Sequence, residues 1–297
     1  MAITETSLIS GFMVIDKPAG ISSATVDRIC KYVVRASKVG HIGTLDPFAT
    51  GVLVLAINDA TKVIQYIGTR AKSYEFTVKF GERTSTGDIT GDIIEKCGYV
   101  PSMCDVSGIL KRYTGEISQT PHMFSAVKIN GKRAYKLARS GVIPRLAPKI
   151  IKIHGLTIRE QLSKTEFVFE ATVSSGTYIR SLCEDLAKTV NTLAHVTALR
   201  RVKDGQFSIK DAISLDKLRE KADSVGSVLI PLENVLDGIP VVLLSCQNAE
   251  NLAFGRTVTV DLNLQNGTYI AKADCGFLGI VEYGDGVIRP KRLIKMR

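Results

Sequence analysis

The sequence contains no apolar run near the roughly 18 residues that a membrane span requires. MAITETSLIS, at the start, has no basic segment ahead of an apolar one, so no secretion signal is expected. The six cysteines are scattered without a single C-x-x-C pair, which removes the usual zinc spacings. A chain of 297 residues can bury a core without a disulfide framework, so reduced, mostly buried thiols in a cytoplasmic protein are expected. H-E-x-x-H, G-x-x-x-x-G-K-[ST], G-x-S-x-G and G-x-G-x-x-G are all absent. His41, His122, His154 and His195 lack metal-ligand spacing, and no carboxylate cluster suited to Mg²⁺ is visible. The expectation is therefore chemistry with no metal and no cofactor. Internal repeats and low-complexity segments are missing as well.

A further absence is local. Between Glu116 and Glu160 there is no acidic residue, while Lys128, Lys132, Arg133, Lys136, Arg139, Arg145, Lys149, Lys152 and Arg159 all fall there. A solvated face normally interleaves signs, because like charges repel. With a net charge of +10 overall, this stretch reads as a surface that tracks phosphates.

What is present reads as an α+β chain. A strand is expected at Phe12 to Ile15, then a Lys-Pro-Ala-Gly turn and a helix from about Ala24 to Val34 capped by Ser22 or Ser23. VLVLAI reads as a buried strand, and Tyr74, Phe76, Val78 and Phe80 alternate onto one strand face. TSTGDITGD reads as a polar loop, residues 102 to 115 as helical, and Asn130-Gly131 as a turn. A helix closed by Gly141 would carry Lys132, Lys136 and Arg139 on one face. IIKIHGLTI and EFVFEATVSSG read as strands, and TYIRSLCEDLAKTV as a helix starting near Tyr178. Strands and helices mix without a βαβ rhythm, so the sheet should be mixed but mainly antiparallel, with flanking helices. Asp-Gly-Ile-Pro at 237 to 240 marks a boundary between a domain of residues 1–238 and a small β-barrel module of residues 239–297.

One turn-like stretch stands out: GHIGTLDPFATG, residues 40 to 51, holds Asp46 between Leu45 and Pro47. An Asp before Pro is commonly a turn former whose carboxylate accepts backbone N–H bonds. Its apolar flanks fit a packed loop better than a solvated one.

This stretch and several others resemble the bacterial TruB family of tRNA pseudouridine-55 synthases. GFMVIDKPAGISS is similar to the family's first motif and VGHIGTLDPFATGVLVL to its catalytic motif. KSYEFTVKFGERTSTGDITG, VSSGTYIRSLCEDL and ALRR resemble the motifs that follow. QTPHMFSAVKINGKRAYKLARSG is like the family's RNA-gripping thumb insertion, here about residues 120 to 152, and the tail more weakly resembles a PUA-type RNA-binding module. Phe48 stands where Leu is common, and His122-Met123-Phe124 replaces a common Pro-x-Tyr.

The resemblance implies isomerisation of a tRNA T-arm uridine by a monomeric enzyme that works without a cofactor. It implies that Asp46 is the catalytic group and Arg180 its ion-pair partner. Tyr74 would stack on the uracil, although its place on an alternating strand equally suits a core aromatic. Tyr178 and Leu199 would line the pocket, Leu199 from a helix, with Lys17 and Pro18 shaping its wall. His41 would fill the gap left by the flipped base. Lys128, Lys132, Arg133, Lys136 and Arg139 would contact the RNA backbone. Two other readings stay open, a non-catalytic tRNA-refolding chaperone and a hydrolase that releases free uracil.

Overall fold

The computed structural model describes residues 9–274 and 276–294. Residues 1–8, Cys275 and the end of the basic tail at 295–297 lie outside these, so the readings made on them do too. The chain opens with β1 (Gly11–Lys17), α1 (Ser23–Val33), β2 (Val39–Ile42) and β3 (Thr50–Ile57). Ser22 caps α1 by accepting the Thr25 N–H at 3.1 Å. β4 (Lys72–Phe80) buries every second residue, as the alternation predicts. β5 (Glu82–Thr84) and β6 (Ile93–Lys96) form a small hairpin. Then come α2 (Met103–Ile109) and β7 (Gly115–Gln119).

β8 (Lys128–Ile129) and β9 (Lys132–Arg133) pair around Asn130 and Gly131, whose φ angles of +48° and +81° make the tight turn that Asn-Gly favours. α3 (Ala134–Arg139) follows, so Lys132 lies on a strand and does not share a helical face with Lys136 and Arg139. The turn's extended geometry holds Lys132 out of the helix. β10 (Lys149–Gln161), β11 (Glu166–Val173), α4 (Ile179–Thr189), β12 (Ala194–Asp204), β13 (Phe207–Ser208) and α5 (Leu215–Glu220) complete this part.

The large sheet runs β1-β3-β12-β4-β11-β10-β7, with β2 added on β3 and β13 on β12. Only the β3–β12 pair is parallel. Alternate residues of its strands feed two cores. Met13, Ile15, Leu53, Leu55, Phe76 and Phe169 pack with α1 and α4 on one face. Phe12, Val14, Val52, Val54 and Ala56 pack on the other, against Leu232, Leu236, Ile270 and Ile280. Coverage of both faces explains why β3 is an almost unbroken apolar run. ALRR lies in β12, so Leu199 is a strand residue; pairing with β4 across its length overrides the helical reading.

The remaining elements are β14 (Val241–Leu243), α6 (Cys246–Ala253), β15 (Val258–Thr259), β16 (Gly267–Ala273), β17 (Gly276–Gly284) and β18 (Val287–Leu293). They form a five-stranded sheet that curls as a half-barrel. Ile270 and Ile280 carry its packing into the second core, and Lys272 pairs with Glu233 at 2.7 Å. The thiols are less buried than expected: Cys30 and Cys183 are buried, Cys97 is half-buried, and Cys104 and Cys246 are exposed. No helix among the described residues is long and apolar enough to cross a membrane.

Candidate active site

The β2–β3 loop is held from three sides. Ser23, at the start of α1, has its hydroxyl 2.9 Å from both the N–H and the carbonyl of Leu45. Lys17, with 0% of its surface exposed, donates to the carbonyls of Pro18 (2.7 Å), Pro47 (3.1 Å) and Ala49 (2.7 Å). Arg201, also buried, donates to Gly43 O and Val52 O, both at 2.7 Å. Asp46 is thereby presented on a braced loop with its side chain one-third exposed.

Arg180 meets it from the first turn of α4. Its Nη2 lies 2.8 Å from Asp46 Oδ2, and its Nη1 lies 3.4 Å from Asp88 Oδ2. The guanidinium also donates to Thr86 O at 2.9 Å and Phe124 O at 3.0 Å. A cation at a helix N-terminus opposes the helix dipole, and the two carboxylates offset that here. Burial raises the Asp46 pKa above the usual carboxylate range; Arg180 pulls it down, and Asp88 pushes it up again. Burial thus outweighs the ion pair. Asp88 is locked by Thr86 Oγ1 (2.8 Å) and by the N–H of Thr90 (2.9 Å).

A cavity of about 260 Å³ opens over this pair, lined by Asp46, Lys72, Tyr74, Tyr178, Leu199 and Arg180 among others. Tyr74 and Leu199 are each 7% exposed, so they are core residues that also face the cavity. Burial raises the Tyr74 phenol pKa, with a hydrogen bond from Arg201 acting against it. Tyr178 is half-buried, and the Gln119 side chain grips its backbone, accepting its N–H at 2.8 Å and donating to its carbonyl at 3.2 Å.

Lys17 and Pro18 do not line the cavity; Lys17 acts from behind the loop, and Pro18 is exposed. His41 sits on β2 rather than in the loop, because Val39–Ile42 pairs with β3. Its Nδ1 is 2.7 Å from Asp27 and its Nε2 is 3.0 Å from Thr44 Oγ1. Lys128, Lys132, Arg133, Lys136 and Arg139 are exposed on the insertion, away from the cavity lining.

Sequence reasoning passed over Asp88, Lys72, Arg201 and Asp204. Asp204 is fully buried, with Lys72 at 2.7 Å, Arg70 at 3.5 Å and Arg201 at 3.9 Å. Of this cluster, Lys72 and Arg201 line the cavity beside Gly43. Alternation marks Lys72 and Arg201 as inward-facing once their strands are known, and that was the available signal. A larger cleft of about 820 Å³ lies beyond His122, lined by Arg83, Glu184 and Lys188 among others, but it holds neither Asp46 nor Tyr74.

An ion-paired carboxylate, a phenol and an apolar side chain around a small cavity suit a flat polar ring. The N-terminal domain of the TruB family pseudouridylate synthases matches residues 31–179, and the tRNA pseudouridylate synthase B C-terminal domain matches residues 180–237. The chain belongs to the TruB family. It is a pseudouridine synthase, an isomerase. The TruB relative from Bradyrhizobium diazoefficiens, tRNA pseudouridine synthase B, is 37% identical over 97% of this chain and 86% of its own. That of Novosphingobium aromaticivorans is 38% identical over 96% and 97%. A fold neighbour, from the structure of an H/ACA RNP bound to a substrate RNA containing 2′-deoxyuridine, aligns with TM-score 0.71, covering 100% of this chain and 88% of its own, at 20% identity. A Cbf5-Nop10-Gar1 complex gives 0.69 at 23% identity, covering 96% and 85%. These two extend the likeness of the fold.

Proposed function

We propose that the chain converts the T-loop uridine at position 55 of tRNA to pseudouridine, with Asp46 as the catalytic group and no metal or redox cofactor. The observation that carries this reading is the 2.8 Å Arg180–Asp46 pair at the mouth of the Tyr74–Leu199 cavity. In the reaction the C1′–N1 bond breaks, the uracil turns, C5 bonds to C1′, and the C5 proton passes to solvent as N1 gains one. No atom is gained or lost overall, so one ionised carboxylate suffices to add covalently or to take up a proton while the base is detached.

The base must first leave the stack, at a cost of a few kcal/mol. His41, tied to Asp27 on one side and Thr44 on the other, offers a flat ring beside the loop to take its place. Tyr74 stacks on the extruded uracil and Leu199 packs against it. The exposed cations of the insertion grip RNA by its phosphates and shape. A chaperone that only refolds tRNA has no use for a buried Arg180 aimed at a loop carboxylate.

An unmodified tRNA transcript tritiated at uridine C5 tests the reading. Incubation should release tritium and no free uracil. Bound tRNA without tritium release would support the chaperone instead, and free uracil would indicate a hydrolase.

A further inference from the structure

The basic insertion leaves the large sheet at β7 and returns in β10, at one flank. Helix α1 joins β1 to β2 and packs over the sheet face at the opposite end, against β2 and β3. From β3 to β10 is four strand steps, roughly 19 Å. Asp46 lies in the loop that leads into β3, and α1 begins against that loop through Ser23. Anything gripped by the insertion and threaded through the site continues toward α1.

The outer surface of α1 is cationic. Arg28, Lys31, Tyr32 and Arg35 are spaced i, i+3, i+4 and i+7, which is one helical face. All four are exposed, Tyr32 to 85%, and Lys38 extends the row just before β2. Among the described residues, Arg28, Lys31 and Arg35 form no ion pair. The single acid of α1, Asp27, is occupied by His41. Across the groove, of about 700 Å³, Arg219 adds a further cation, partnered by Asp216; Glu220 and Asp223 are the other acids of that side. Unpaired like charges at these spacings repel and weaken a helix, so their grouping is a cost in the absence of an anion.

A second observation points the same way. α1 ends in a Schellman motif, with Arg35 N–H donating to Tyr32 O (3.2 Å) and Ala36 N–H to Lys31 O (3.0 Å). The left-handed position of that motif usually falls to glycine, yet Arg35 occupies it at φ +49°. The chain thus accepts local strain to place a guanidinium at this spot. A cationic stripe with an interleaved exposed tyrosine is the pattern that grips a nucleic-acid backbone and stacks an unpaired base.

We infer that the Arg28–Lys31–Tyr32–Arg35 face of α1 is a second RNA-binding surface, holding the part of the substrate RNA that runs past the site on the side opposite the insertion. The inference rests on the tRNA reading above. Its test is an Arg28→Ala/Lys31→Ala/Arg35→Gly variant, compared with wild type in binding unmodified full-length tRNA across a salt series, with Tm and tritium release measured alongside. Removal of three phosphate contacts should weaken binding at low salt and reduce the slope of log K against log salt by roughly 2 to 3. Arg35→Gly suits the left-handed backbone, so Tm should be no lower than that of wild type. Tyr32→Ala alone should weaken binding while leaving the salt slope unchanged.

An unchanged affinity and slope in the triple variant, with wild type binding and turning over tRNA, would overturn the surface and leave the functional reading intact. A fall in Tm matching the loss of binding would overturn it too, since unfolding would then be the cause. Wild type that neither binds nor turns over tRNA would instead remove the reading on which the surface rests.

Discussion

Arg180 divides one guanidinium between two carboxylates, Asp46 at 2.8 Å and Asp88 at 3.4 Å. Asp88 therefore competes for the cation that keeps Asp46 ionised, and its own charge raises the Asp46 pKa. Since the proposed chemistry needs the carboxylate, activity should fall as pH drops through that raised value. Asp88→Asn removes one upward push. The acid limb of its kcat/KM profile should move to lower pH, measured by tritium release across pH; a limb that stays in place would mean that Asp88 does not act on Asp46.

Asp46→Asn should bind tRNA with wild-type affinity and convert none of it. The same variant should be no less stable at neutral pH. The folded-state pKa of Asp46 lies above its unfolded value, so the folded protein holds this proton more tightly and loses stability as pH rises through that interval. Asn avoids the ionisation. Any Tm advantage over wild type should therefore shrink as pH falls toward the unfolded carboxylate value of about 3.9. Turnover by the variant would take Asp46 out of the catalytic role.

Lys17 is a buried cation whose ammonium replaces solvent for three backbone carbonyls around the Asp46 loop. Burial lowers its pKa to about 8, against an upward pull from Asp46. The unfolded chain holds this proton up to about 10.4, so wild-type stability should gain from rising pH between about 8 and that value, before other groups are counted. Lys17→Met should lose that gain. It should also leave carbonyls unpaired, at about 1–3 kcal/mol for each that water cannot reach, and lower kcat more than tRNA affinity. Denaturant titrations at paired pH values, with single-turnover rates, check both.

The sequence made the strands legible where one rule governed them. Alternation from Tyr74 to Phe80 and the apolar run of β3 follow from burial on one face and on two. Ser22 and Asn130-Gly131 each marked a local hydrogen bond or a positive φ. Leu199 has helix-compatible neighbours in the sequence, but they are recruited by β4, a partner more than a hundred residues away. His41 sits in a turn-like stretch by sequence, but pairing of Val39–Ile42 with β3 makes it a strand residue. Asp46 and Arg180 stand out in the sequence only through the family resemblance. Asp88 and the Lys72–Arg201–Asp204 cluster do not stand out, because only the closed sheet brings the Lys72 and Asp204 side chains to 2.7 Å.

That cluster makes its own prediction. Asp204 faces Lys72, Arg70 and Arg201 at once, and it has no exposed surface. Breaking a buried pair from one side leaves an uncompensated charge, typically at about 3–5 kcal/mol. Asp204→Ala should lose stability on that order. Lys72→Met with Asp204→Ala should lose less than the sum of the two single changes, because the stranded cation has gone. Additive losses in urea titrations would deny the coupling.

Gly51 and Gly20 separate conformational strain from steric contact. Both have positive φ, +98° and +85°. A Cβ on Gly20 would meet nothing within 4 Å, whereas one on Gly51 would lie 2.2 Å from the Arg201 carbonyl oxygen. β3 and β12 meet there in their parallel pairing, Arg201 opposite Gly51, and the backbone has no flexible end to move aside. Gly20→Ala should cost only the left-handed conformation, about 1–2 kcal/mol. Gly51→Ala must also push β12 away, adding about 1–3 kcal/mol. Because Arg201 holds Gly43 and Val52, the shift should reach the Asp46 loop. Gly51→Ala should therefore lose turnover even in the fraction that stays folded, while Gly20→Ala keeps it. Single-turnover rates corrected for the folded fraction decide the matter, and equal rates in the two variants would show that the Asp46 loop does not depend on this contact.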